Sequence, residues 1–570
     1  MLLRLRRAKR AAARIVSGGI GRGLSATPAK GDWRLLRLLT PRPPTPNELR
    51  SLQSANWPDY EAWLQDQQVT SLDAWFLLRN EALAWNPPPR LSLVTPVYDT
   101  EPDQLEACLR SVVRQTYPFW QLCAVDDCSP GAHVWPILSR WARADPRIQV
   151  SRRVRNGGIC TASNDALAAT TGDYVVFLDH DDLLAPDALH RVAEALRADP
   201  ETDVLYSDRD TIAWSSGHRF RHLLKPAWSP ETLLSGNYIF HLTVYRRSLL
   251  AKLEGLRPRY DGSQDYDLIL RASEHTSRIR HIPRVLYHWR EHPVSIATNE
   301  TAKPYVLDAG KAAAADFLNR RGFDVPVIDV EGFRGHYRPL LPVADPARVL
   351  VLRPGSPMQP RGYARWLSSA MAHAEPGQDL CLVLSPGLEP RTPGPVDELL
   401  KWLDLPGVGI VTGRLSSPNG HLLHAGFVHR SNGVPLALYQ GFSRDEPGYM
   451  AYTSVLRNVA APHPWCFGFR CSLWHQLGGL SGEYLGPHAV LDFALRALAL
   501  GWRTVYVPYA ELTAVEARDI ADPWLSEEAN RFARRWAHWL LQGDPYYPIG
   551  MTLERPDMTL VPGFKRPVLR

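Results

Sequence analysis

Between residues 91 and 182 short apolar runs alternate with segments whose apolar residues recur every three or four positions. The runs LSLVTPV at 91–97, WQLCAVDD at 120–127, RIQVSR at 147–152 and YVVFL at 174–178 read as strands, the first and the last of them buried. The amphipathic segments 103–115 and 135–144, and a stretch opening near Thr161, predict helices between them. Strands alternating with helices imply a doubly wound α/β sheet whose functional residues collect at the strands' C-terminal ends. Tyr98, Asp99, Asp127 and Asp179 all fall at such ends.

The rest of the chain divides around this block. Residues 31–90 carry short helical patterns, YEAWL at 60–64 and WFLL at 75–78, and end at Pro87-Pro88-Pro89, which cannot continue a helix. They predict a helical collar on an α/β domain spanning 91–322. Residues 323–345, with Val325-Pro326, Pro339 and Pro342, read as a linker; 346–540 form a second α/β-like region, and the proline-rich tail 541–570 is expected to be irregular.

With 45% apolar and 22% charged residues, the 570-residue chain has the composition of a globular protein of several domains. No stretch approaches the roughly 18–20 apolar residues of a membrane span. The net charge of +6 is unevenly placed: residues 1–30 hold eight basic residues and no acid, leaving 57 basic against 59 acidic residues elsewhere. A near-neutral body argues against nucleic acid as partner. In the arm, Arg6, Arg7, Arg10 and Arg14 share one helical arc and Leu5, Ala8, Ala12, Ile15 and Val16 the other, which predicts contact of residues 1–22 with an anionic membrane surface. Leu3 and Arg4 break the pattern, so a frayed basic terminus is the alternative. Seven cysteines lie scattered without metal-ligand spacing, as expected in a reducing, cytoplasmic compartment.

Asp179, His180, Asp181 and Asp182 follow directly on an apolar strand. Clustered carboxylates at a sheet edge repel one another and resist desolvation unless a cation sits among them. A divalent metal with a preference for oxygen ligands, Mg²⁺ or Mn²⁺, meets that need; a solvated acidic turn is the plain alternative.

Six segments in order, LVTPVYD, AVDDCSP, NGGICTASNDAL, GDYVVFLDHDD, GSQDYDLILR and IPRVLYHWR, resemble the inverting family 2 glycosyltransferases of GT-A fold, in particular those that build bacterial O-antigen and rhamnan polysaccharides. The resemblance implies metal-dependent transfer of a sugar from a dTDP- or UDP-linked donor to a growing surface glycan or lipid-linked acceptor, at the cytoplasmic membrane face. It places Pro96, Tyr98, Asp99, Asp127, Asn156, Gly157, Asn164, Asp179 and His180 around the nucleotide-sugar, with Asp127 accepting the N3–H of uracil or thymine. It makes Asp181 and His288 metal ligands and Asp265 the base that deprotonates the acceptor, with Asp267 as rival. Residues 207–210 and 225–247 lie where the family binds acceptor; Trp228, Tyr238 and His241 are candidates there, or core residues. A noncatalytic glycan-binding protein is the alternative. A nucleotidyltransferase would need a glycine-rich, basic loop after the first strand, which Pro96 to Thr100 does not supply.

The second α/β region reads as a degenerate repeat. QDYDLILR (264–271) aligns with AVLDFALR (489–496), turning Asp265 into Val490 while keeping Asp267 as Asp492. LDHDDLLAP corresponds to LSPGLEP, turning Asp179 and Asp181 into Ser385 and Gly387, and His288 becomes Thr513. The shorter spacing before Ser385 leaves no room for the nucleotide-binding half, so 346–540 is expected to be noncatalytic.

Overall fold

The computed structural model describes residues 60, 63–64, 68–69, 71–214, 216–291, 304–355, 360–515 and 524–561; the basic arm lies outside them. Nine strands build the first sheet: β1 (Leu91–Val97), β2 (Trp120–Asp126), β3 (Ile148–Arg152), β4 (Tyr174–Phe177), β5 (Leu183–Leu184), β6 (Val204–Ile212), β7 (Arg219–Leu223), β8 (Thr243–Arg246) and β9 (Ile279–Arg290). Their order is β3-β2-β1-β4-β8-β6-β9-β5, with β7 paired to β6. β1, β2, β3 and β4 are mutually parallel, as are β6 and β9, whereas β8 runs antiparallel between β4 and β6. Every residue of β1 and β4 is buried, the condition of strands covered on both faces. The covering helices are α1 (Leu72–Leu83), α2 (Pro102–Val113), α3 (Val134–Ala144), α4 (Ile159–Ala168), α5 (Ala188–Ala198), α6 (Gln264–His275) and α7 (Pro304–Arg320). α2 starts on Pro102, whose missing N–H costs nothing in a first turn.

Residues 323–345 are more than a linker. They contain the hairpin β10 (Val327–Val330) and β11 (Phe333–Pro339), turning at Gly332 with φ +78°, a conformation glycine adopts without penalty. Prolines mark only the edges of this hairpin, which is why composition alone suggested a structureless segment.

The second sheet contains β12 (Val349–Leu352), β13 (Leu380–Leu384), β14 (Leu388–Pro390), β15 (Val408–Ser416), β16 (Leu422–His424), β17 (Arg457–Val459), β18 (Cys466–Arg470) and β19 (Arg503–Ala514), flanked by α8 (His488–Ala499). Its order, β12-β13-β18-β15-β19-β14, repeats β1-β4-β8-β6-β9-β5 position by position, and each neighbouring pair keeps the same parallel or antiparallel sense. Among the described residues β2 and β3 have no counterparts in this sheet, in keeping with the shortened spacing.

One hydrophobic core runs through both modules by way of α6, α7, the hairpin and β13. The seam is also polar: Glu231 takes a two-pronged contact from Arg503 (2.6 and 2.8 Å) and a bond from Asn458 Nδ2 (2.6 Å). In the expected irregular tail, Tyr547, Met551, Met558 and Leu560 pack with Tyr60, Trp63 and Leu64 of the collar and with both modules.

Candidate active site

The parallel strands of the first sheet deliver their C-terminal ends to one edge. β4 ends at Phe177 and β8 begins at Thr243, paired antiparallel; extending that register by two residues sets Asp179 opposite His241. The imidazole Nε2 lies 3.1 Å from the Asp179 carboxylate, and the ring stacks on Tyr287 from β9 at 5.0 Å. Asp179, His241 and Asp265 line one narrow pocket together with Pro96, Ser163 and Gln264.

The three aspartates of the D-H-D-D run have different fates. Asp182 is fully buried; it accepts the Tyr287 hydroxyl (2.5 Å) and the Arg290 N–H (2.7 Å), so it ties the loop to β9. Burial and repulsion from Asp181 and Asp179 push its pKa well up. Burial also disfavours charge on Asp179, but His241 outweighs it and holds that carboxyl below its ordinary range. His241 in turn is disfavoured as a cation by burial, yet Asp179, Asp265 and Asp182 raise its pKa to about 9. Asp181 is half-buried, and among the described residues its carboxylate accepts no hydrogen bond and makes no ion pair. Arg290 spends its guanidinium on the carbonyls of Asp181 and Gln104.

Asp265 sits in the first turn of α6, held by Asn237 Nδ2 (2.9 Å) and the Tyr266 N–H (2.8 Å). Burial raises its pKa, opposed by His241 and helped by Asp179. A carboxylate with its affinity for protons raised is suited to general-base work near neutrality. Its rival Asp267 is otherwise engaged. It bonds Arg257 (3.1 Å) and Arg271 (2.9 Å), and the other nitrogens of Arg271 reach the carbonyls of Leu253 and Gly255.

Divalent cations in nucleotide sites are held by one or two carboxylates and completed by phosphate oxygens and water. Asp181, with its carboxylate unspent and Asp179 two residues away, supplies such a minimal oxygen set. Among the described residues no three His, Cys, Asp or Glu side chains converge to hold a metal by themselves. These residues therefore fit a cation that shares its shell with a diphosphate.

At the other side of β1, Asp127 is buried, and its carboxylate accepts the N–H groups of Gly157 (2.9 Å) and Gly158 (2.9 Å) beside Arg153 (3.0 Å). Gly158 takes φ +83°, and a Cβ there would meet the Asp261 carboxylate at 2.3 Å. Asn156 is exposed and donates to the Asp127 carbonyl (3.3 Å). Asp99 adopts φ +46°, accepts the Gly131 N–H (3.1 Å) and donates its own N–H to Ser129 (2.9 Å), with Tyr98 exposed beside it. His180 Nδ1 meets the Thr100 hydroxyl at 2.6 Å.

Four sequence-derived assignments fall away from the pocket. His288 follows Tyr287 on a strand and so faces the opposite side of the sheet. It lies fully buried against Asp210 (2.7 Å) and Arg219 (2.9 Å), and burial and Arg219 push its pKa down. That position serves a core ion network, not the carboxylates of the D-H-D-D loop. Asn164 clamps the backbone of Leu256 through both amide atoms (2.8 and 2.9 Å). Tyr238 is a core residue, its hydroxyl accepting the Ser229 N–H (2.9 Å). Trp228 lines a groove at the C-terminal end of α6, beside Arg503, not the Asp265 pocket. Sequence reasoning passed over Asn237, Tyr287 and Lys225, whose buried ammonium reaches the carbonyls of Ser207, Ile239 and His241. Single polar residues in loops carry no spacing signature that would have found them.

The second module offers an internal control. The matched registers place Ser385, Gly387, Trp465, Val490 and Leu512 where the first has Asp179, Asp181, His241, Asp265 and Tyr287. The Asp267–Arg271 pair persists as Asp492–Arg496 (2.7 Å), with Arg496 again reaching two carbonyls, those of Leu477 and Gly479. Scaffold residues are kept and pocket residues are not.

Residues 92–254 match the family model of Glycosyl transferase family 2. Over those residues the chain resembles the family 2 glycosyltransferases, and over most of its length it is similar to a polysaccharide biosynthesis protein. It is 30% identical over 604 residues to the "Uncharacterized protein y4gI" of Sinorhizobium fredii (strain NBRC 101917 / NGR234), covering 94% of this chain and 65% of that one. It is 31% identical over 567 residues to the O-antigen biosynthesis protein RfbC of Myxococcus xanthus, covering 88% and 43%. The chain therefore spans less than two thirds of the length of either relative. Among solved structures, S. aureus TarS 1–349 in complex with UDP-GlcNAc matches at 20% identity over 40% of this chain and 67% of that one, with a TM-score of 0.34.

Proposed function

We propose that domain 91–322 transfers a sugar from a nucleotide-diphospho-sugar to a glycan acceptor by single displacement with inversion. The observation that carries the reading is the convergence of Asp179, His241 and Asp265 on one pocket beside the unspent Asp181 carboxylate. In this reading Asp265, oriented by Asn237, takes the proton of the acceptor hydroxyl as its oxygen attacks the anomeric carbon. Asp181, with Asp179, would hold Mg²⁺ or Mn²⁺, which when bound offsets the charge on the departing diphosphate. His241 keeps Asp179 ionised. Asp127 orders the Gly157–Gly158 loop and offers its remaining lone pairs to the N3–H of a uracil or thymine ring. Pro96, Tyr98, Asp99, Asn156, Gly157 and His180 surround the nucleotide.

The acceptor is a bacterial surface polysaccharide or its lipid-linked precursor, in keeping with the O-antigen name of the Myxococcus relative. No helix among the described residues is long and apolar enough to cross a membrane; residues 1–22 would instead hold the enzyme on the inner face of the cytoplasmic membrane. The second module acts as a noncatalytic scaffold, since it carries Ser385, Gly387 and Val490 at the metal and base positions.

A panel of dTDP- and UDP-sugars with Mn²⁺ or Mg²⁺ tests the reading by thermal shift, because a ligand that binds only the folded state raises Tm. Stabilisation by at least one donor, dependent on metal, is expected. No response to any donor contradicts the reading.

A further inference from the structure

One cation on the Tyr287 face of the sheet has no direct carboxylate contact, only the more distant charges of Asp182 and Asp210. Arg209 on β6 makes no hydrogen bond or ion pair with any described residue; its guanidinium rests against the rings of Phe240 (5.2 Å) and Trp289 (5.7 Å). By contrast Arg290 is engaged by two carbonyls and Arg219 by Asp210. Burial disfavours this guanidinium and the charges of Asp182 and Asp210 only partly offset that, so a direct anionic contact would complete what the fold leaves unmet.

The placement points the same way. Arg209 pairs in register with Tyr287, so it shares the sheet face on which Tyr287 bonds Asp182 and underlies His241. Phe240 directly precedes His241, takes φ +43° and is 37% exposed. A left-handed backbone is unfavourable for a bulky residue and persists where the surrounding structure has a use for the side chain. Two aromatic rings and a planar cation, linked to the pocket residue His241 through Phe240 and Tyr287, match the apolar face and the acidic group of a charged sugar. The repeat supplies an independent check. The register makes Leu415 the counterpart of Arg209, paired with Leu512 as Arg209 is with Tyr287. The scaffold arginines Arg246 and Arg271 persist as Arg470 and Arg496. Arg209 is lost along with the pocket, as a ligand-binding residue would be.

We propose that Arg209, flanked by Phe240 and Trp289, forms an acceptor subsite selecting a glycan whose sugar bears an anionic group, carboxylate or phosphate, near the attacking hydroxyl. The guanidinium fork receives such a group through two parallel bonds, which a lysine cannot reproduce. The inference rests on the transferase reading for the word acceptor, but its binding test does not need turnover.

The test uses the full chain and three probes, methyl β-glucuronide, glucose 6-phosphate and methyl β-glucoside, with affinities from ligand-observed NMR; UDP and dTDP with Mn²⁺ are titrated separately. Wild type is expected to bind at least one anionic sugar about tenfold or more tighter than the neutral glucoside, the better of the two identifying the group. Arg209→Gln should abolish the preference, Arg209→Lys retain part of it, and neither should change nucleotide affinity or Tm. Equal binding of all three sugars by wild type overturns the subsite. So does an Arg209→Gln variant that keeps the preference, or one that loses nucleotide affinity instead, which would assign the arginine to the donor's diphosphate. Failure of wild type to bind either nucleotide counts against the transferase reading alone.

Discussion

Asp267 and Asp265 lie two residues apart on the same helix turn, and their environments predict opposite consequences for the same substitution. Asp267→Asn removes the charge facing Arg271, which is 7% exposed. Breaking one side of a buried pair costs about 3–5 kcal/mol because the remaining charge stays uncompensated. Arg257 keeps Asp316 (2.8 Å), and Arg271 keeps the carbonyls of Leu253 and Gly255, so the low end, about 3 kcal/mol, applies. With a denaturant slope of about 3 kcal/mol/M, the urea midpoint falls by about 1 M. Asp492→Asn, its counterpart in the second module, should cost a similar amount through Arg496. Asp265→Asn should cost nothing. A carboxyl whose pKa is raised on folding binds more protons in the native state, so stability falls as pH rises from its unfolded to its folded pKa. The neutral amide avoids that loss and still accepts from Asn237. Urea unfolding of the three variants, followed by far-UV circular dichroism, decides the matter. A stable Asp267→Asn, or an Asp265→Asn destabilised by more than about 1 kcal/mol, refutes the assignment of scaffold and site roles.

The His241 ring, with its pKa raised to about 9, should remain protonated at pH 8 in the resting protein. Because the folded pKa lies above the unfolded one, its stabilising contribution is full below about pH 6.5 and is lost as pH rises through about 9; a ¹³C-histidine titration that shows a neutral ring at pH 7.5, or no fall on Asp179→Asn, contradicts the pair. Asp181→Ala should remove the metal-dependent part of nucleotide-diphosphate binding by calorimetry while leaving Tm within about 1 °C, since a half-buried, unpaired carboxylate supports nothing else. Glu231→Gln weakens the Arg503 contact at the seam and should cost about 2–3 kcal/mol. The loss should appear in one cooperative urea transition if both modules unfold together, and two separate transitions would show that the shared core does not couple them.

The first sheet was legible because its strands are buried on both faces and read as unbroken apolar runs, β1 and β4 above all. The repeat was legible through the Asp267–Arg271 pair, which survives as Asp492–Arg496 because a helix-to-loop clamp is needed in both modules. Which face a residue occupies was not legible. Tyr287 and His288 differ by one position, and a strand's period of two sends one to the pocket and the other to the Asp210–Arg219 network. Asn164 and Tyr238 present the same difficulty: a polar side chain bonding to backbone inside the core looks, in sequence, like one facing a ligand. Asp181 could be separated from Asp179 and Asp182 only once their partners His241 and Tyr287, 62 and 105 residues after Asp179 and Asp182 respectively, were in place.

The base is the account's central claim, and Asp265→Asn with the donor found by thermal shift addresses it directly. Donor affinity should change by less than about threefold, while transfer to acceptor should fall by about 10²–10⁴, the usual contribution of a general base. Transfer at the wild-type rate by a folded, donor-binding Asp265→Asn protein would contradict it.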